Sequence, residues 1–373
     1  MNIRALPTTV RRSIEVVGLV ALGYAIISAQ SIIMPLLMAF FLSMLLLPVV
    51  RWLRKRRVPE SLSIIIAILL LAAVVAGIVV FFSVQIGKLL SDIPTIRENL
   101  MVHWNSLSKW ISNQLHYDSQ QQMAILNKQM QGAGNNAMKL ATGAAVSFSG
   151  VIIFVGLLPI YIFLILYYKN TLLRFAFLWF AEDNHSKVEA ALRETEGMVK
   201  YYLVGLLIQI AYLTILVSGG LALFGIKHAL LIGAVFAVLN LIPYVGALVG
   251  NVIGVLLTLT SSQEIWQIWA VLGTIAAVQF FDNNIFMPAI LGSRVKVNPL
   301  ASIIGIIVGG AMAGISGMFL SIPILAILKI MFDKSERLKQ WGVLIGDSRP
   351  PVSPITARMF RIKKTAANAG STT

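Results

Sequence analysis

The chain has 373 residues, of which 58% are hydrophobic and only 12% charged, with a formal net charge of +15 and a mean hydropathy of +0.84. A soluble domain is about 45–50% apolar, so this composition excludes a water-soluble globular protein and predicts one that uses the lipid bilayer as its solvent. The chain lacks cysteine, which excludes disulfide bonds and thiolate metal sites.

Residues 1-87 predict three membrane spans. No charged residue occurs from Val16 to Val50, and this run is long enough for two short spans, because one span needs about 20 mostly apolar residues. The polar residues and the proline between Gln30 and Pro35 predict a tight hairpin turn there. The run from Ser61 to Gly87 predicts the third span.

Residues 88-139 predict a small helical cap outside the membrane. Apolar residues recur at spacings of three or four, which is typical of a helix with one apolar face; they are Ile93, Ile96, Leu100, Trp104, Leu107, Ile111 and Leu115. A second, weaker helix is predicted through Met123, Leu126 and Met130. The cap could lie on the membrane surface, pack on its own membrane domain or contact a partner subunit.

Residues 140-332 predict the rest of the membrane domain. Leu140–Tyr168 and Tyr201–Ile226 are each uncharged and long enough to cross once. Ile265–Phe281 is marginal in length, but Trp266 and Trp269 favour the membrane interface, so it is counted as a span. Glu182 and Asp183 are acidic residues suited to the first turn of a helix, and we expect that helix to continue without a break into the span at Tyr201. Residues 333-373 form a basic tail.

Two further apolar runs, residues 228-263 and 297-328, are too long for one straight span and are interrupted in the middle. The interrupting residues are prolines, glycines and asparagines: Asn240, Pro243, Gly246 and Gly250 in the first run, and Gly309, Gly310, Gly314, Gly317 and Pro323 in the second. Each run could cross once or fold back as a re-entrant hairpin, and the two could form a weak internal repeat. The fold class predicted is therefore an all-α polytopic membrane protein with about eight hydrophobic segments.

Basic residues occur before the first span, after the second span and in the C-terminal tail. The positive-inside rule places these segments, and with them both termini, in the cytoplasm of a bacterial inner-membrane protein. The positive charges lie where membrane topology requires them, so a nucleic-acid partner is not predicted.

Polar residues at membrane depth predict a transport pathway. Ionisable groups there are costly and usually face a cavity or a partner. If Asp282 is buried, it is the candidate for coupling to a cation or proton, whereas at the membrane interface it would simply be solvated. Arg294 and Lys296 are its nearest ion-pair partners in sequence, and pairing with them would make it structural. Transporters use interrupted helices to line substrate sites. The candidate pathway residues are Asn240, Pro243, Gly246, Gly250, Asp282, Asn283, Asn284, Pro288, Gly310, Gly314 and Gly317.

Catalysis is not predicted. Gly314-Ile315-Ser316-Gly317 matches a serine nucleophile pattern, but no histidine follows it to act as the general base. The chain has no HExxH motif and no GxxxxGK[ST] phosphate loop. We therefore predict neither an enzyme nor a cofactor, and no ATP-driven pump within this chain.

Four segments carry a family resemblance: LNLIPYVG at Leu239–Gly246, DNNIFMPAILGSRVKVNPL at Asp282–Leu300, LPIYIFLILYYKN at Leu158–Asn170 and GMFLSIP at Gly317–Pro323. With these motifs the chain resembles the AI-2E family, the autoinducer-2 exporter-like transporters of bacteria and archaea. The resemblance extends from the N-terminal spans to Asp333, and it excludes the cap and the basic tail.

The resemblance implies a secondary transporter that exports a small polar solute, such as the autoinducer-2 signal of quorum sensing. It also implies a homo-oligomer, with a pentamer as the candidate state. Some similar proteins are assigned sodium/proton antiport, so a monovalent cation/proton antiporter is the alternative, and a membrane scaffold without transport is the third hypothesis. By position, the motifs around Asn240 and Asp282 would contribute to the pathway.

Overall fold

The computed structural model describes residues 8–115, 148–243, 245–291, 297–336 and 338–347. These residues form helices and turns, with one isolated antiparallel bridge between Val297 and Gly346. The helices are α1 (Thr8–Ser28), α2 (Gln30–Lys55), α3 (Glu60–Ser91), α4 (Ile93–Leu115), α5 (Phe148–Tyr167), α6 (Lys169–Leu178), α7 (His185–Leu223), α8 (Ala229–Leu239), α9 (Val245–Ser261), α10 (Trp266–Phe281), α11 (Met287–Leu291), α12 (Pro299–Lys334) and α13 (Lys339–Ile345).

The prediction of an all-α polytopic membrane protein is confirmed. Within the described residues, five helices are long and apolar enough to cross a membrane by length and composition, and the bent pair α5–α6 brings the number to six. One of the five, α12, is broken in the middle and folds back on itself, as described below. The predicted number of about eight is not confirmed, because α1, α8 and α9 are shorter apolar helices. At about 1.5 Å per residue, the 11 residues of α8 reach only about 16 Å into a hydrocarbon core of roughly 30 Å.

The tight hairpin predicted between Val16 and Val50 is not present. Only Ala29 separates α1 from α2, whereas an antiparallel pair of helices needs a loop of about two to five residues. Pro35 lies inside α2 and does not end it. None of the α1 side chains that the structure describes is buried.

A three-helix bundle of α2, α3 and α5 has its own apolar core. Ala39 and Leu46 of α2 pack there with Ile64 of α3 and with Ile162 and Leu166 of α5, and all five are buried. α2 also packs against α7 and α12 through Phe41, which joins this bundle to the remainder of the membrane domain.

The predicted amphipathic cap helix is present as α4, and it packs on its own chain. Its Asn99 side-chain amide donates to the carbonyl of Thr260 at 3.0 Å, and His103 Nε2 lies 2.7 Å from the carbonyl of Ser262. These carbonyls belong to the end of α9, where the last turn of a helix leaves acceptors free. The second predicted helix, through Met123, lies outside the described residues.

α7 is one continuous helix of 39 residues that begins just after a single 3₁₀ turn at Glu182–Asn184. The predicted helix that runs into the span at Tyr201 is therefore confirmed. Its first turns lie beside the end of α12, where Lys187 pairs with Glu336 at 2.8 Å and Lys334 with Glu194 at 3.2 Å.

The first interrupted run folds into an antiparallel hairpin of α8 and α9, called hairpin 1 below. The arms approach so closely that a Cβ added to Gly246 would lie 2.0 Å from the Leu239 carbonyl oxygen, and one added to Gly250 would lie 2.6 Å from the Phe236 ring. Glycine is therefore required at these contacts, because no side chain fits between the arms.

The second interrupted run also folds back on itself, as the two arms of α12, called hairpin 2 below. The helix breaks at Ala313 and Gly314, and Gly314 has φ 60° and ψ −143°. The arms pack in antiparallel order: the Ser321 hydroxyl donates to the Gly305 carbonyl at 2.8 Å, and a Cβ on Gly317 would lie 2.0 Å from the Gly309 carbonyl oxygen. The structure thus resolves the choice between one crossing and a hairpin in favour of hairpins for both runs.

The two hairpins open toward opposite ends of α7. Hairpin 1 opens beside Asp92 and α4, where Lys227, just after the end of α7, pairs with Asp92 at 2.8 Å. Hairpin 2 opens beside the first turns of α7, through the pairs with Lys187 and Glu194 described above. The two hairpins border one apolar cluster in between: Leu241 and Ile242 at the tip of hairpin 1 pack against the cluster that contains Leu320 from the return arm of hairpin 2.

Candidate functional site

Asp282 lies where α10 gives way to a π-helical turn, Asp282–Phe286. A π turn shifts the register of the following side chains and is frequent at functional sites. The Asp282 side chain is 1% exposed, although it follows a 16-residue apolar helix. The carboxylate is therefore inside the protein and is not a solvated group at the membrane interface.

Three neutral side chains donate hydrogen bonds to this carboxylate. Gln209 Nε2 donates to Oδ2 at 3.1 Å, and Asn240 Nδ2 donates to the same oxygen at 3.3 Å. The Tyr212 hydroxyl donates to Oδ1. Gln209 and Tyr212 lie three residues apart on one face of α7, so α7, hairpin 1 and α10 each contribute to what we call the Asp282 cluster: Gln209, Tyr212, Asn240 and Asp282.

The Asp282 cluster contains one acidic side chain and no basic one. Within the described part of the chain, no salt bridge reaches Asp282; Arg294 and Lys296, its predicted ion-pair partners, lie outside the described residues. Hydrogen bonds from neutral donors stabilise a carboxylate, but a buried charge without a counter-charge remains expensive. A bound proton or a bound cation would neutralise it.

The Asp282 cluster is too closed to hold a solute in this conformation. Gln209 is 2% exposed and Asn240 7%, which leaves access for a proton or a small ion only. One acceptor in the cluster is unused, because Gln209 Oε1 is buried without a hydrogen-bond partner among the described atoms. Buried carbonyl oxygens without partners are rare in proteins and are often found where a site binds something.

Asn240 connects the Asp282 cluster to hairpin 1. It is the residue that follows α8, and its side chain is held at the tip of the hairpin by the bond to Asp282. Gly246, in the first turn of the return arm, packs directly against Asn240. A Cβ added to Gly246 would lie 2.3 Å from the Asn240 Cα. Pro243 lies in the turn between them and has no amide hydrogen to leave unpaired.

An apolar groove of about 640 Å³ lies between α7 and α10 and approaches the Asp282 cluster. Its lining includes Gly220, Trp269, Thr274 and Phe286. The Phe286 ring lies 5.0 Å from the ring of Tyr212. The rings of Phe286, which lines the groove, and of Tyr212 therefore separate the groove from the buried carboxylate.

The other predicted pathway residues lie elsewhere. Asn283, Asn284 and Pro288 follow Asp282 in sequence, but their side chains are exposed on the outside of the helix, and the two asparagines bond within it, to Gln279 and to the Phe280 carbonyl. Gly250 lies in the contact between the arms of hairpin 1, and Gly310, Gly314 and Gly317 lie at the tip of hairpin 2. At these places the glycines allow close packing and a sharp turn, and a part in the pathway stays a prediction.

Sequence reasoning included Asp282 and Asn240 and missed two members of the Asp282 cluster. Neither Gln209 nor Tyr212 was predicted to belong to a site. A signal was present in the sequence, because the two polar side chains share one face of the uncharged part of α7 that begins at Tyr201, and such a face needs polar partners inside a membrane.

Comparison with known proteins gives a consistent result. The model of a family described as AI-2E family transporters matches residues 16–337. YrrI of Bacillus subtilis, provisionally named a transport protein, is 28% identical over 313 residues, covering 81% of this chain and 86% of the relative. YhhT of Escherichia coli, also provisionally named a transport protein, is 23% identical and covers 90% of this chain and 94% of its own length. The AI-2 transport protein TqsA of Escherichia coli is 25% identical, with 86% of this chain and 90% of TqsA covered.

Proposed function

The chain belongs to the AI-2E family of transporters, and on that premise we propose that it is a secondary transporter that exports a small polar solute across the bacterial inner membrane. Its driving force is a proton or cation gradient, and Asp282 is the coupling residue. The observation that carries the proposal is the burial of this carboxylate at 1% exposure among neutral donors. The transporter family argues against an enzyme.

The coupling follows from the chemistry of a carboxyl group. An ionised carboxylate accepts hydrogen bonds at both oxygens, whereas a protonated one has a hydroxyl that donates. Protonation of Asp282 therefore changes which of its three neighbours it can hold. Because one of those neighbours is Asn240, loading and unloading of Asp282 changes how firmly the tip of hairpin 1 is held against α7 and α10.

The arrangement of the hairpins supports alternating access. Two hairpins that open toward opposite ends of α7 leave only their tips between the two sides of the membrane. Interrupted helices of this kind expose backbone groups that a solute or an ion can use near the bilayer midplane. A displacement of one tip opens a path to one side while the other hairpin keeps the second side closed.

The solute class is inferred from a relative. TqsA is named an AI-2 transport protein, so a small polar signal of the autoinducer-2 type is the first substrate to test. The protein without mutation should release or accumulate labelled autoinducer-2 in proteoliposomes under an imposed pH gradient, with saturable kinetics. Absence of saturable flux of this and of related small polar solutes would contradict the proposal.

Monovalent cation/proton antiport is the second candidate. It is favoured by the unused Gln209 Oε1, since carboxylate and carbonyl oxygens are the ligands that hard cations prefer. Dilution of sodium-loaded proteoliposomes would drive proton movement in an antiporter without any solute, whereas the exporter requires the solute. The scaffold hypothesis loses support, because α4 packs against α9 of its own chain, and saturable flux would exclude it.

The membrane orientation and the assembly are part of the same proposal. We place both termini in the cytoplasm, so hairpin 1 opens to the outside and hairpin 2 to the inside, and we expect a homo-oligomer, with a pentamer as the first state to test by the mass of the purified particle. The natural chain has no cysteine, so Ser261→Cys and Ser335→Cys can be labelled without background. An impermeant thiol reagent should reach Ser261→Cys only from outside and Ser335→Cys only from inside; the opposite pattern would reverse the orientation.

A further inference from the structure

The turn from α2 to α3 and the turn from α5 to α6 form one surface on the side of the protein where hairpin 2 opens. Glu60, the first residue of α3, joins them: it accepts a hydrogen bond from Arg54 of α2 at 3.2 Å and one from Lys169 of α6. Because one carboxylate holds both basic residues, the end of α2 and the start of α6 are neighbours.

This surface is rich in positive charge. Arg54, Lys55, Arg56 and Arg57 follow one another at the end of α2, and all four side chains are exposed. Glu60 neutralises part of this charge, but within the described part of the chain no acidic side chain pairs with Lys55 or Arg56. The Arg56 guanidinium lies 5.2 Å from the centre of the Trp52 ring, so the cluster is also aromatic.

The same surface has an apolar side. α6 leaves the axis of α5 at 64°, so if α5 crosses the bilayer, α6 runs closer to the membrane plane than to its normal. No residue of α6 is buried, and the large side chains Phe175, Leu178 and Trp179 are 60%, 74% and 73% exposed. Aromatic residues in this position are typical of the boundary between lipid tails and headgroups.

We infer that this basic and aromatic surface is a binding site for the headgroup of an anionic phospholipid. Apolar side chains that reach the headgroup region and unpaired cations on the same side of the protein are the two features that together fix a segment on an anionic membrane. A second copy of the chain is a poorer occupant, because it would bring the same positive charges against each other. The inference does not depend on what the protein transports.

The test compares two double variants that remove the same charge. Lys55→Gln with Arg56→Gln removes two unpaired cations from the site, and Lys187→Gln with Arg193→Gln removes two cations from the exposed first turns of α7. Arg57 is left unchanged, so that the turn in which its φ of 67° lies keeps its native residue. Each purified protein is incubated in detergent with equal amounts of phosphatidylglycerol and phosphatidylcholine, and retained lipid is counted by native mass spectrometry.

The unmodified chain and the α7 variant should retain phosphatidylglycerol over phosphatidylcholine. The Lys55→Gln/Arg56→Gln variant should lose roughly 30-fold in affinity for phosphatidylglycerol, given the usual contribution of each basic residue near an anionic surface. A second measurement uses nanodiscs that contain brominated lipid. The contribution of Trp179 to the fluorescence, which is the part that Trp179→Phe lacks, should be quenched. Equal retention by both double variants, absence of quenching, or a change in oligomer mass without a change in lipid retention would overturn the inference.

Discussion

Gly246→Ala is predicted to destabilise the protein and to break the bond between Asn240, at the tip of hairpin 1, and Asp282. The added methyl carbon would lie 2.0 Å from the Leu239 carbonyl oxygen and 2.3 Å from the Asn240 Cα. Both are backbone atoms, so no side-chain rotation can relieve the contact, and the arms of the hairpin must move apart. Overpacking of this kind costs about 1–3 kcal/mol, and loss of the Asn240 bond to a charged partner adds a similar amount.

The assay is unfolding of the purified protein in detergent, followed by circular dichroism as denaturant is added. Gly219→Ala is the matched control, because Gly219 lies in α7 and an added Cβ there meets nothing within 4 Å. Alanine is the better helix former by about 1 kcal/mol, so the control should be neutral or slightly more stable. If Gly246→Ala unfolds at the same denaturant concentration as the control, the close contact in hairpin 1 is not required and the reasoning fails.

Gly314→Ala should lower the free energy of unfolding by about 1–3 kcal/mol, because a backbone with φ 60° and ψ −143° suits glycine alone. The effect would come from the backbone, since an added Cβ meets no atom within 4 Å. An unchanged stability would contradict the turn at the tip of hairpin 2. Asn240→Ala should slow gradient-driven flux and destabilise the protein by about 1–3 kcal/mol, since Asp282 loses a donor; full activity would remove Asn240 from the mechanism. Burial lowers the pKa of His228, although Asp92 acts in the opposite direction. The free energy of unfolding should therefore fall as the pH drops below about 6.5, because the unfolded histidine takes up a proton there and the folded one does not. His228→Gln should remove that part of the pH dependence, and an identical pH profile for the variant would contradict it.

The interrupted helices were predictable because their cause is local. Proline and glycine in the middle of an apolar run predict a break in the helix. In both runs the predicted break is where the chain turns at the tip of a hairpin. The choice between one crossing and a hairpin was not local, since it depends on whether the arms can pack. Gly246 and Gly317 provide the close contact, and their partners lie across a turn that the sequence pattern does not specify.

The N-terminal run shows the limit of the same reasoning. Gln30 and Pro35 interrupt the apolar pattern, but Pro35 lies inside α2 and is buried there. A proline at that position removes one backbone hydrogen bond, and packing of the neighbouring apolar residues of α2, Met34, Leu37 and Met38, against the core offsets the loss. The Asp282 cluster was half predictable. A lone aspartate in an apolar segment is a recognisable signal for a site. Its contact with Tyr212 joins residues 70 positions apart in the sequence, and no local pattern predicts a contact between residues so far apart.

Asp282→Asn tests the central claim most directly, when net transport and exchange are measured on the same proteoliposomes. Asparagine keeps the size of the side chain and cannot load or release a proton. The variant should lose accumulation of solute against its gradient when a pH gradient is imposed, and it should still exchange labelled for unlabelled solute when both sides are equal. Asn284→Ala, which changes an exposed neighbour, should retain both activities. Accumulation by Asp282→Asn at the rate of the unmodified protein would show that coupling does not run through this carboxylate.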